Sequence, residues 1–89
     1  MKTFQAEILT PERVILAGEV EALVLKGEYG YFGILAGHAP LIARLVPGKL
    51  KVKRANKEDV YQAGTGFVQI VKQRVSVLLD EIYSAPVQQ

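Results

Sequence analysis

Apolar and polar residues alternate along most of this chain. In "TFQAEI", Phe4, Ala6 and Ile8 fall on one side and Thr3, Gln5 and Glu7 on the other, the period of a half-buried strand. "TPER" follows as a turn, with Pro11 presetting φ at its second position. "RVILAGEVEALVLKG" reads as two strands meeting near Gly18, the second with Val20, Ala22 and Val24 alternating against Glu19, Glu21 and Leu23. "GKLKVKRANKEDVYQAG" has hairpin form: Leu50 and Val52 share one side, Lys49, Lys51 and Lys53 the other, and "ANKE" makes the loop. "GFVQIVKQRVSVLLDEIY" gives two more strands around "KQR", with Val75, Val77 and Leu79 facing in. Gly64 and Gly66 around Thr65 read as a tight strand connection. No segment keeps a helical period, so the pattern predicts an all-β sandwich or barrel. A single compact unit is expected over 1–84, with the polar, proline-broken tail 85–89 fraying.

Composition narrows this picture. At 89 residues the chain is one domain at most. It contains no cysteine, so disulfides, cysteine metal sites and thiol nucleophiles are all excluded. A net charge of +2 is too small a surplus to imply a nucleic-acid partner by itself. No apolar run approaches the ~20 residues of a membrane span, and "MKTFQAEIL" lacks the apolar block of a signal peptide. The expectation is a soluble, unexported protein.

Candidate chemistry concentrates in "GEYGYFGILAGHAPLIARLVPG", residues 27–48. His38 is the only histidine, and acid/base catalysis needs a partner that orients it. A tight "GHAP" turn, with the imidazole bonded to backbone or to a partner, is the simpler reading. Zinc wants three or four ligands, and none is expected here. Gly27, Gly30, Gly33 and Gly37 do not form a phosphate loop, because "GK[ST]" and a following helix are missing. They fit turns and close strand approach instead, and no cofactor is expected. The stripe Lys49, Lys51, Lys53, Arg54 fits a small β-barrel that binds nucleic acid. It fits better the wet side of a strand whose lysines discourage edge-to-edge pairing, since aromatics for base stacking are not interleaved with it. Tyr29, Tyr31 and Phe32 in "EYGYF" are expected in a loop between strands, and a loop rich in aromatics suggests a surface that meets another protein.

These residues carry a resemblance. "TPERVILAGEVEALVLKG" followed by "GEYGYFGILAGHAPLIARLVPG" resembles the N-terminal domain of the epsilon subunit of F-type ATP synthase. The motifs that match are Thr10–Glu12, Gly18–Val20, Gly27 through Leu41 with its His-Ala-Pro-Leu core, and Leu45 through Gly48. "YQAGTGFVQIVKQRVSVLLDE" resembles the close of that domain, so the likeness covers residues 3 to 82. It implies a flattened β-sandwich of about ten strands and a non-catalytic rotor subunit. The implied partners are the gamma subunit and the membrane-embedded ring of c subunits, with alpha and beta reached indirectly. Membrane contact comes only through the complex. The implied function is coupling proton flow to ATP synthesis, from the cytoplasmic side of a bacterial inner membrane or the stromal side of a thylakoid. By position, Glu28, Tyr29, Tyr31 and Phe32 face the ring. Thr10, His38, Ala39, Pro40, Leu41 and Ile42 face gamma. Two departures are evident. The family usually continues into a C-terminal helical hairpin with inhibitory and, in some members, ATP-binding roles; this sequence stops at Gln89, and those roles are not expected of it. Tyr31 also stands where many members carry a polar or acidic residue, which implies a more apolar ring contact. A small hydrolase centred on His38 is the remaining rival.

Overall fold

A computed structural model describes residues 2–84; the expected fraying of 85–89 lies outside them. Ten strands follow one another: β1 (Phe4–Leu9), β2 (Val14–Val20), β3 (Ala22–Gly27), β4 (Gly30–Leu35), β5 (Leu41–Leu45), β6 (Gly48–Arg54), β7 (Lys57–Ala63), β8 (Gly66–Val71), β9 (Arg74–Leu79) and β10 (Ile82–Ser84). The all-β sandwich of about ten strands is therefore borne out. β10 is an element that the sequence pattern does not separate from β9.

The strands form one ladder in the order β10-β7-β6-β3-β5-β8-β9-β1-β2, with β4 on the other edge of β3. Its weakest joint is β3 to β5, held by the single pair Gly27↔Leu45. There the ladder folds over into two layers, β10-β7-β6-β3-β4 and β5-β8-β9-β1-β2. All pairings are antiparallel except β1 with β9. Successive connections alternate between the two ends of the sandwich.

Alternation drives this arrangement, since each strand turns one side inward. Ile8, Val20, Leu23, Ile34, Leu50, Val52, Val68 and Val77 are all fully buried between the layers, and no charged side chain is buried among the described residues. Phe4, Ala6, Ile8, Leu50, Val52, Val75, Val77 and Leu79 face the core as their spacing predicts.

Four expectations need correction. Gly18 does not end a strand. It lies inside β2 opposite Ala6, at φ +149, where only glycine is comfortable. The break comes at Glu21, whose N–H donates to the Lys53 carbonyl at 2.7 Å. That bend shifts the phase by one residue, so Leu23 and Leu25 face inward rather than Ala22 and Val24. "ANKE" is too long a loop: Lys57 and Glu58 are already in β7, and the connection is Ala55–Asn56, with Ala55 at φ +51 instead of the usual glycine. Finally, β6 is not an edge. It pairs with both β7 and β3, so its lysines do not protect a free ladder.

Candidate partner-binding surfaces

The hairpin β3–β4 forms the first candidate surface. Gly27 and Gly30 close it, and Glu28 and Tyr29 are its two-residue connection. Gly30, the first residue after the turn, takes φ +123, a conformation that glycine alone adopts without strain. Tyr29 stands fully exposed at the tip. Tyr31 and Phe32 are not in a loop, as the sequence suggests, but on β4, where their side chains part. Phe32 turns in and packs against the core. Tyr31 stays outside, its ring 5.7 Å from Lys26 Nζ and its hydroxyl accepting the Lys49 N–H at 3.1 Å. The reason is strand alternation, which sends neighbours to opposite sides.

The second group comes from the β1–β2 and β4–β5 connections. Thr10 is held by its own turn: its N–H donates to the Arg13 carbonyl at 3.0 Å and its hydroxyl to the same oxygen at 3.4 Å. Leu35, Ala36, Gly37 and His38 form a turn in which the His38 N–H donates to the Leu35 carbonyl at 3.2 Å. Gly37 takes φ +87 at the third position, as a type II turn demands. His38 Nδ1 lies 2.8 Å from the Ala39 carbonyl; a carbonyl only accepts, so this nitrogen carries the proton. No carboxylate or hydroxyl hydrogen bonds to the His38 ring among the described residues. The ring is thus engaged by its own turn.

Thr10 and His38 do not meet. Thr10 sits at the end of the sandwich that carries the Glu28–Tyr29 tip; His38 sits at the opposite end, as does Ala39 and, just before β5, Pro40. Laterally, β8 and β9 separate β5 from β1, a further ~14 Å at the usual strand spacing. Leu41 is partly buried against the core, whereas Ile42 stands 72% exposed on the outer side of β5.

What lies between those two corners is the surface that sequence reading missed. Cross-strand register runs Arg44↔Phe67, Phe67↔Leu78, Leu78↔Leu9 and Leu9↔Val14. Phe67 is 54% exposed, Leu78 45% and Val14 60%. Four strands thus contribute an apolar row to the outer side of the second layer, which Val14 joins across a register shift between Ile8 and Leu9. The next row along is Ile42, Gln69, Ser76 and Glu7. There the Ser76 hydroxyl donates to the Glu7 carboxylate at 3.0 Å, satisfying both without a partner. The local sign of this face was present in the sequence: "VIL" and "VLL" break alternation by placing apolar residues on both sides of a strand. Which breaks share a row depends on register between distant strands, which no local pattern carries.

The first layer's outer side is different in kind. Lys49, Lys51 and Lys53 point outward from β6 beside Lys26 of β3, and Glu58 of β7 lies opposite Lys53. The only ion pair among the described residues joins Arg54 and Asp59 at 3.4 Å.

Comparison with known proteins agrees with this architecture. Residues 3–85 match the family described as ATP synthase, Delta/Epsilon chain, beta-sandwich domain. The chain is 37% identical over 81 residues to the "ATP synthase epsilon chain, sodium ion specific" of Propionigenium modestum, covering 91% of this chain and 59% of that one. It is 42% identical over 81 residues to the ATP synthase epsilon chain of Chromohalobacter salexigens, covering 90% and 57%. It therefore spans somewhat under three-fifths of the length of these relatives. Among solved structures, a chain in the Euglena gracilis mitochondrial ATP synthase (OSCP/F1/c-ring) superposes with a TM-score of 0.87 at 26% identity, over 92% of this chain and 53% of that one. A chain of the Tetrahymena thermophila mitochondrial ATP synthase central stalk and c-ring shares the fold, with a TM-score of 0.80 at 13% identity over 93% and 67%. The chain belongs to the delta/epsilon family of ATP synthase chains, and the ten strands described above are that family's β-sandwich domain.

Proposed function

We propose that this domain is a non-catalytic part of the central stalk, held to the gamma subunit through the apolar outer side of its second layer and to the c-ring through its β3–β4 tip. The observation that carries the reading is the row Phe67, Leu78, Leu9 and Val14, an apolar band across four strands with no charge within it. A monomer gains nothing from such a band; each of these side chains is already partly buried, so covering one against a partner contributes on the order of 1 kcal/mol. Thr10 and His38 frame this face from opposite ends, so both remain within the footprint of one large partner. Ile42 lies inside it. Glu28 and Tyr29 offer the ring a compact tip, with Tyr31 beside it, immobilised by Lys26 and Lys49. Phe32 supports the tip from within rather than touching the ring.

In this role the domain transmits torque by staying rigid, because two hydrogen-bonded layers over a close-packed core deform little. Chemistry stays on the alpha and beta subunits, and the domain sits, through the complex alone, on the cytoplasmic face of a bacterial inner membrane or the stromal face of a thylakoid. The test is affinity purification from membranes. Gamma is expected to co-purify with the tagged chain, and its absence from stringently washed eluates would falsify the assignment. Tyr31→Asp separates the two contacts: ring-coupled ATP synthesis in reconstituted vesicles is expected to fall several-fold, with gamma still bound. Loss of both together would merge the two surfaces into one.

A further inference from the structure

Among the described residues the strand β4 pairs with β3 and with nothing else. Its two-residue connection makes Gly27 and Gly30 a hydrogen-bonded pair, and the ladder then alternates, so Phe32 and Ile34 also bond to β3. The amides of Tyr31, Gly33 and Leu35 therefore point away from the sheet. One group on this side is used: the Leu35 carbonyl accepts from His38. Free edges are normally guarded by a lysine, a proline or a bulge. "GYFGIL" has none of these, while the lysines lie on β6, inside the ladder.

Three further observations describe what fits this edge. A groove of about 460 Å³ runs beside it, with the β3–β4 tip from Gly27 to Phe32 on one wall and Leu41, Ile42 and Ala43 on the other. Arg44 lines the same groove and has no acidic partner among the described residues. Gly33 leaves a notch between Tyr31 and Leu35 on the outer side, where an added Cβ meets only the Leu23 carbonyl oxygen, at 3.8 Å. An extended chain laid along β4 answers all three: alternate apolar side chains enter the groove, an acidic one reaches Arg44, and a bulky one covers Gly33.

We infer that β4 is a strand-docking edge, completed by an extended segment of the subunit that covers the apolar outer face. This rests on the reading of gamma as that subunit. Continuity selects the occupant, because β5 borders both surfaces: Arg44 stands opposite Phe67 of the apolar row, and it lines the groove together with the exposed Ile42. A second copy fits less well. Two β4 edges paired about Gly33 set glycine against glycine and leave both notches empty.

The experiment is amide hydrogen exchange by NMR on the isotopically labelled chain, free and bound to purified gamma. In the free chain the Tyr31, Gly33 and Leu35 amides are expected to exchange rapidly while those of Phe32 and Ile34 are protected. In the complex the first three are expected to slow at least 100-fold. Gly33→Lys, which has room for its Cβ, is expected to keep the wild-type melting temperature and to bind gamma at least tenfold more weakly. Gamma bound with the three amides still exchanging rapidly overturns strand docking and leaves the facial contact standing. Unchanged gamma affinity of Gly33→Lys overturns it as well. Failure of gamma to bind at all removes the functional reading itself. Protection that rises with concentration of the free chain assigns the edge to a second copy, and also overturns the proposal.

Discussion

The two outer faces of this sandwich are built by one rule and finish as opposites. Both layers send alternate side chains into a shared core. Outside, β6 and β3 present Lys49, Lys51, Lys53 and Lys26, whereas β8, β9, β1 and β2 present Phe67, Leu78, Leu9 and Val14. Water satisfies the lysine side, since ammonium groups are well solvated and their stems cover what lies beneath. The other side exposes apolar surface that water does not satisfy. The difference separates folding from function: the core needs only that each strand have an inner side, so the outer sides were free to diverge.

The hardest blow to the comparison is one that removes what the faces share. Leu23 is fully buried in the first layer, and Leu23→Ala is expected to cost about 3 kcal/mol. At ~4–8 °C per kcal/mol for a domain this size, calorimetry should record a drop of at least ~10 °C. The double substitution Phe67→Asp, Leu78→Asp attacks one face only. Gamma affinity, measured by titration calorimetry, is expected to fall at least 100-fold while stability changes by less than about 1 kcal/mol. Lys51→Glu on the opposite face is its control and is expected to leave gamma affinity within twofold. Equal losses from the two would abolish the asymmetry.

Smaller effects sharpen the boundary of the lysine face. Tyr31→Phe removes the hydroxyl that accepts the Lys49 N–H, with an expected loss of about 0.5–1.5 kcal/mol by chemical denaturation. At its rim, the Tyr83 hydroxyl donates to Glu81 Oε1 at 2.9 Å. This bond, reinforced by the negative charges of Glu81 and then Asp80, raises the phenol above its ordinary value of 10.0. A raised value favours the protonated form when folded. The contribution to stability is therefore complete below about pH 10 and fades as pH climbs through the folded value. Glu81→Gln should bring the Tyr83 titration, followed by carbon NMR of the ring, back down toward 10.

How legible was this in the sequence? Strands whose alternation is clean, such as Leu50 with Val52 and Val75 with Val77 and Leu79, declared their inner side without help. Gly18 misled because glycine signals a turn and a strained strand position equally well, and only the pairing with Ala6 distinguishes them. Two-residue turns at Ala55 and Lys72 carry positive φ without glycine, so the loops read longer than they are. Tyr31 and Phe32 looked like loop aromatics because Gly30 and Gly33 flank them, yet their opposite directions follow from β4 being a strand. The apolar row was out of reach for a different reason. Leu9 and Leu78 are neighbours only because β1 pairs with β9, a fact stored in no local window.

That pairing also sets a timetable. Among the described residues β1 and β9 are the sole parallel neighbours, and the Ser76–Glu7 bond between them spans 69 positions of sequence. During synthesis the first hairpin, β1–β2, emerges before its parallel neighbour and waits for β9 to be made. Contacts so distant place the domain among slow folders, on the order of milliseconds to seconds. Until Arg74–Leu79 arrives, the edge of β1 and the inner sides of Phe4 and Ile8 stay open to whatever else the cell offers. The vulnerable moment thus ends only with β9, the ninth of the ten strands described.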